Sequence, residues 1–182
     1  MPTATALAAK TGDDCAPGWA YIGTDLTPEP SKDDSIGAAI ESVSGHQVGS
    51  PESIAAARTI GSGIWGIGLK QVGFSALPLP ILEDRRLAQR WSEGRISIDT
   101  LLDYFSAGST GLLAVPLPGD VSSSQLELII VNAASAAYRA RKPLMLSLVP
   151  VANKLANYRT DFDDPRLVNV VLQPLNYPRA RQ

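Results

Sequence analysis

The sequence predicts an α/β fold, with five largely parallel strands alternating with helices. Three observations carry that prediction. Apolar runs of strand length recur at 19–23, 74–82, 112–115, 144–149 and 167–172, separated by helix-patterned or polar segments. Such alternation is the signature of a mostly parallel sheet. Residues 144–149 are nearly continuously apolar, as expected of a strand buried on both faces. The runs also exit into loops that carry acids: Asp25, then Glu83 and Asp84, then Asp120, then Asp161, Asp163 and Asp164. In a parallel sheet such loops open at the carboxyl edge, where folds of this class bind ligands.

Each element has its own justification. Residues 1–18 mix Lys10, Asp13, Asp14 and Pro17 without any period and read as a disordered lead. Residues 19–175 read as one domain and 176–182 as a tail. After the first strand, Ile36, Ile40 and Val43 are spaced four and three apart and share a helix face. Ser50-Pro51-Glu52 starts a second helix: an N-cap serine, proline at the first helical position, then an acid near the positive helix end. This helix runs through Ala55-Ala56-Ala57 to Ile60. The stretch Gly61-Ser62-Gly63-Ile64-Trp65-Gly66 that follows has GxGxxG spacing. A dinucleotide site needs a strand before that motif and a helix after it. Here the order is reversed, so the stretch reads as a flexible connector. Asp84 caps a helix with Leu87 and Trp91 one turn apart, stopped by Gly94. Ser97 caps another, with Leu101, Leu102 and Phe105 as its buried side. The turn Ala107-Gly108-Ser109-Thr110-Gly111 then enters a strand. Ser122 and Gln125 form a capping box for the longest helix, with Leu126, Ile129, Ile130, Ala133 and Ala137 as its apolar stripe.

Composition removes several function classes. At 182 residues, 45% hydrophobic and 19% charged, the chain is long enough for one domain with a real core. A net charge of -2 offers no basic stripe for nucleic acid, and Arg85-Arg86 and Arg179-Ala180-Arg181 read as solvated surface. The single Cys15 excludes an intrachain disulfide, and the single His46 excludes a His-rich zinc site. A serine triad or cysteine dyad would depend on His46 alone, which sits in a loop between two helices. No apolar run approaches the ~20 residues of a membrane span. The N-terminus lacks the pattern of a signal peptide, and the expected setting is cytoplasmic.

Three blocks of residues, in order and spacing, carry a resemblance. They are Tyr21-Ile22-Gly23-Thr24-Asp25-Leu26-Thr27, then Gly73-Phe74-Ser75-Ala76 with Leu82-Glu83-Asp84, then Ser109-Thr110-Gly111-Leu112 through Pro118-Gly119-Asp120. They resemble domain-of-unknown-function family 711, also called the PFL family, over about residues 19–173. The resemblance is to the second, C-terminal half of a family member. It implies half of a ten-stranded pyruvate formate-lyase-like barrel, and no established reaction. Where the family pattern has a cysteine and an aspartate, this chain has Gly108 and Leu113. Gln71-Val72-Gly73-Phe74 also lacks the arginine of a glycyl-radical segment, so radical chemistry is not expected.

The acids Asp25, Glu83, Asp84 and Asp120 match the family pattern and admit two readings. They are caps and turn residues, or they converge to hold a divalent cation such as Mg or Ca, which takes several oxygen ligands. Asp25, Ser75, Ser109 and Thr110 are the expected contacts of a small polar ligand. A five-stranded sheet cut from a barrel would expose strand edges and an apolar face. The chain is therefore expected to form a homo-oligomer or to take a partner chain that supplies the other half barrel. The alternative to a ligand-binding role is thus a non-catalytic assembly half.

Overall fold

The computed structural model describes residue 18 and residues 20–29 and 34–178. The lead expected to be disordered lies outside the described residues up to residue 17, with Cys15, as do Trp19, residues 30–33 and tail residues 179–182. Among the described residues five helices and two strands follow in order: α1 Ile36–Ser44, α2 Pro51–Trp65, α3 Arg85–Ser92, α4 Ile98–Ala107, β1 Gly111–Pro118, α5 Ser123–Ala140 and β2 Met145–Val151. Among the described residues no helix is long and apolar enough to cross a membrane.

The helix starts follow local chemistry. Ser50, Asp84, Ser97 and Ser122 accept hydrogen bonds from backbone N–H groups of the first turns of α2, α3, α4 and α5. These bonds satisfy donors that have no partner within the helix. The capping box of Ser122 and Gln125 is formed. At its other end α2 runs to Trp65, so Gly61, Ser62 and Gly63 are helical and only the residues after them connect. Gly61 is buried, and a Cβ there would sit 3.7 Å from the Gly108 carbonyl oxygen. Glycine costs a helix roughly 1 kcal/mol relative to alanine, and α2 continues through both glycines all the same. Gln71 completes that helix end by donating to the carbonyls of Ile64 (3.2 Å), Trp65 (3.2 Å) and Ile67 (3.1 Å).

β1 and β2 form a two-stranded parallel sheet joined by α5, a βαβ crossover. The register is irregular between Leu112 and Val115, where Ala114 takes a φ of 46°. The other expected strands are reduced to isolated bridges. Residues 77–81 run parallel beside β1 through Leu77↔Ser109 and Pro80↔Leu113. They bond through Thr110 N–H to the Leu77 carbonyl and Ile81 N–H to the Leu113 carbonyl, both 3.0 Å. Only alternate residues bond toward β1, and Pro78 and Pro80, which have no N–H, lie between them and face the other side. The first run makes one parallel bridge, Thr24↔Gln71, where a Cβ on Gly23 would lie 2.6 Å from Val72. The last run is not a parallel strand. Its Val171 bridges antiparallel to Arg159. A parallel return needs a crossover of a dozen or more residues, usually helical, and the polar stretch before it supplies no helix.

The core lies between the sheet and the helices. Leu79, Ile81, Leu112, Val115 and Leu117 are fully buried together with Leu87, Trp91, Leu101, Tyr104 and Ile129. α4 packs on β1 and against α2 and α5, while α1 packs on α2 and α3. Buried Arg90 ties α3 to α1 through Glu41 (2.6 Å) and also pairs with Glu93 (2.7 Å). Two expectations of burial fail. β2 has only Val151 buried, and Met145 stays 37% exposed, because no strand covers its outer side among the described residues. On α5, Ile130 is 50% exposed, since the buried stripe is the narrower set Gln125, Ile129, Ala133 and Ala136. Residues 152–178 turn away from β2. Val168 donates to the Leu82 carbonyl (2.7 Å), Val171 to Ser92 Oγ (3.0 Å), and Gln125 Nε2 to the Tyr177 carbonyl (2.8 Å).

Candidate functional site

Two of the acids named from the sequence, Asp84 and Asp25, take separate structural duties. Asp84 is completely buried between two helix starts. Its Oδ1 accepts from Ser35 Oγ (2.7 Å), Arg86 N–H (2.9 Å) and Leu87 N–H (2.9 Å), and its Oδ2 from Gly37 N–H (3.2 Å). One carboxylate thereby caps α3 and anchors the first turn of α1, with the positive ends of both helices favouring its charge. Asp25 is exposed and pins the turn at 72–75. It accepts from Thr27 Oγ1 (2.7 Å), Thr27 N–H (2.9 Å), Ser75 N–H (3.0 Å) and Phe74 N–H (3.4 Å). The Thr27 hydroxyl first, and then these backbone donors, hold the Asp25 carboxyl below its ordinary value against the opposing effect of burial. Gly73 is required there, since a Cβ would meet Asp25 Oδ2 at 2.1 Å.

Ser75 belongs to the same clamp. Its Oγ accepts from Leu26 N–H (3.2 Å) and donates to the Val72 carbonyl (2.8 Å), and the residue holds a φ of 42°. Glu83 and Asp120 are exposed and line different clefts. Glu83 faces one of about 430 Å³ with Thr27, Glu29 and Pro80, and Asp120 one of about 270 Å³ with Gln125 and Leu155. Among the described residues no group of three or more His, Cys, Asp or Glu is placed to hold a metal ion.

Ser109 and Thr110 behave differently. They stand at the amino edge of the sheet, immediately before β1, where α4 ends. They are 3% and 2% exposed, and neither Ser109 Oγ nor Thr110 Oγ1 has a hydrogen-bond partner. Buried polar groups are nearly always paired, and leaving one unpaired costs roughly 1–3 kcal/mol. Both residues line a cavity of about 300 Å³ with Trp65, Phe74, Gly108 and Lys142. Lys142 enters just before β2. Its Nζ donates to the Ser109 carbonyl (3.1 Å) and stands 4.1 Å from the centroid of the Phe105 ring. Burial pushes its ammonium below the ordinary lysine value. An apolar wall of Trp65 and Phe74 with a few converging polar groups is the usual make-up of a small-molecule site.

The sequence therefore pointed to Ser109 and Thr110 but placed them with the acids at the carboxyl edge. The structure puts the hydroxyls at the opposite edge from Glu83 and Asp120. Lys142, Trp65 and Phe74 carry no local signal of a site. They converge only because α2, α4 and α5 all end at the amino edge of the sheet.

Comparison with known proteins gives the family without a reaction. Residues 3–163 match the family described as Uncharacterised ACR (DUF711). A UPF0210 protein of Pyrobaculum aerophilum is 32% identical over 134 residues, covering 71% of this chain and 30% of that protein. UPF0210 proteins of Bifidobacterium longum and Lactiplantibacillus plantarum are 28% and 25% identical over 137 residues, each covering 73% of this chain. The chain spans less than a third of the length of these curated relatives, 30% and 31% in the last two. No solved structure matches it. With 161 of its 182 residues matched (3–163), the chain belongs to the Uncharacterised ACR (DUF711) family.

Proposed function

We propose that this chain binds a small molecule in the cavity at the amino edge of its sheet. The observation that carries the reading is the pair of buried hydroxyls, Ser109 Oγ and Thr110 Oγ1, that lack partners beside a lysine. Lysine only donates, and a hydroxyl donates as readily as it accepts. The complementary head group is therefore an oxygen acceptor such as a carboxylate or carbonyl. Trp65 and Phe74 provide contact for an apolar body. The expected divalent cation finds no support at this site, because a lysine without a nearby acid repels cations.

Trp65 lines the cavity and reports occupancy by its fluorescence. Benzoate and benzyl alcohol serve as probes, with the W65F variant to separate the signal from Trp19 and Trp91. Saturable quenching by benzoate, lost in the S109A/T110V variant, is the expected result. A Kd of about 1 mM corresponds to only roughly -4 kcal/mol. If neither probe changes the Trp65 signal at such concentrations, the ligand reading fails.

A second reading concerns assembly. The outer edge of β2 pairs with nothing among the described residues, and the chain covers 30% of its relative from P. aerophilum. Both facts favour a chain that serves as one part of a larger parallel sheet, as in half of a pyruvate formate-lyase-like barrel. Co-expression with the remainder of a full-length relative would test it, and a stable one-to-one complex is the expected outcome.

A further inference from the structure

Lys142 has chemistry that a hydrogen-bond donor alone does not use. The lysines among the described residues stand in different surroundings. Lys70 is exposed, and Lys154 pairs with Asp161 (2.8 Å). Lys142 is half-buried, and among the described residues no carboxylate pairs with it. Its backbone is fixed from both sides. The chain leaves α5 through Arg141 in the left-handed conformation (φ 51°), and the Lys142 N–H then bonds to the Ala137 carbonyl (3.4 Å). Pro143 follows and restricts the Lys142 backbone in turn. At the far end of the side chain, Nζ donates to the Ser109 carbonyl and lies over the Phe105 ring. Burial pushes the ammonium below the ordinary lysine value, which favours the neutral, nucleophilic amine.

Resting on the cavity reading above, we propose that Lys142 captures an aldehyde or ketone as a Schiff base, with Ser109 and Thr110 at the carbonyl oxygen. Of the two acceptors that the cavity admits, a neutral carbonyl suits it better, because burial weakens the charge that a carboxylate would pair with. The Nζ lone pair attacks the carbonyl carbon, and the N–C bond forms as the π pair moves to oxygen. A hydroxyl, which both accepts and donates, passes a proton from nitrogen to that oxygen and gives a carbinolamine. The second amine proton follows, the C–O bond breaks, and water leaves as nitrogen closes the C=N bond. Both amine hydrogens depart in that water, so no oxidant or reductant is consumed. A hydroxyl held by the fold could not turn from nitrogen to oxygen in this way, and Ser109 Oγ and Thr110 Oγ1 are held by no partner. The protonated imine then carries its positive charge where the ammonium stood, facing the Phe105 ring.

Benzaldehyde with sodium cyanoborohydride, added to the full chain at neutral pH, decides the matter, because reduction turns the imine into a permanent benzylamine. Intact mass and peptide mapping count and locate the benzyl groups, with circular dichroism to confirm folding of each variant. The first group should go to Lys142, ahead of exposed Lys70, and an excess of benzoate should delay it. Lys142→Arg keeps a charged donor but no nucleophile, so it should lose that first label while benzoate still quenches Trp65. Benzylation spread evenly over the five lysines overturns the proposal. So does a first label that persists in Lys142→Arg. The benzoate signal then separates the two readings. If it remains, the cavity holds its ligand without a covalent bond; if it is absent as well, the cavity reading falls with the proposal.

Discussion

At the carboxyl edge of the sheet a buried carboxylate, Asp84, meets four donors; at the amino edge two buried hydroxyls, Ser109 and Thr110, meet none. Both sets are almost inaccessible to solvent, so burial alone does not separate structural from functional polar groups. The difference lies in satisfaction. A buried group with its partners in place holds the fold together. One without them is a cost the fold bears, and such costs gather where a ligand completes the bonding.

The largest expected effect tests the satisfied side. Asp84→Ala strands the N–H groups of Gly37, Arg86 and Leu87 and the Ser35 hydroxyl, uncapping α3 and freeing the start of α1. A lost cap costs about 1–2 kcal/mol, and stranded buried donors add a similar amount each. The variant should lose about 3–5 kcal/mol by urea unfolding. A loss below about 1 kcal/mol would mean that water replaces the carboxylate and that Asp84 is not the joint described here.

The unsatisfied side should respond in the opposite direction. Thr110→Val keeps the shape and removes the unpaired hydroxyl, so the empty protein should gain about 1 kcal/mol, or roughly 2–4 °C in Tm. The same change should weaken benzoate binding. A destabilised variant would show that Thr110 Oγ1 is paired in solution and would erase the contrast.

Smaller again is the pH response of Asp25. Its carboxyl titrates lower in the folded chain than the ordinary value of 3.8, chiefly through the Thr27 hydroxyl. Its contribution is therefore complete above that value and is lost as pH falls through the lower folded value. Between pH 5 and about pH 3 the urea midpoint of Asp25→Asn should fall less than that of the parent. Because Asp25 is exposed, solvent screening keeps the difference small. Equal falls would show that the Thr27 and Ser75 bonds do not bias the carboxyl. The smallest effect belongs to Glu83, next to Asp84 but exposed. Glu83→Gln should stay within about 0.5 kcal/mol of the parent.

How legible each feature was in the sequence follows from how local its cause is. Ser50, Asp84, Ser97 and Ser122 could be assigned as caps because a cap bonds two or three residues along the chain. The strands could not be read so well. Residues 74–82 are apolar enough for a strand, but that they pair with β1 through only two bridges is a property of the assembled sheet. Residues 167–172 look like another parallel strand, yet their pairing depended on a crossover that the chain does not supply. The glycines at 61 and 63 read locally as a connector, yet both lie inside α2, with Gly61 buried beside the end of α4. At the site, Ser109 and Thr110 were visible as loop hydroxyls, but their lack of partners is a property of the assembled structure. Lys142 was invisible for the same reason: its meeting with the Ser109 carbonyl spans 33 residues.

The prolines beside β1 also govern how far this sheet could ever extend. In residues 77–81 the odd positions bond toward β1, so Pro78 and Pro80 face the opposite side, where they present carbonyls and no donors. A strand arriving there would find no N–H to accept from at either position, which is how natural sheets blunt an edge. The outer edge of β2 carries one proline, Pro150, in seven residues, so a further strand meets fewer missing donors there than beside residues 77–81. Two chains joined edge to edge at β2 would present a proline-blocked border on each outer side. Growth would terminate at the pair, and the fold carries its own protection against running on into a fibre.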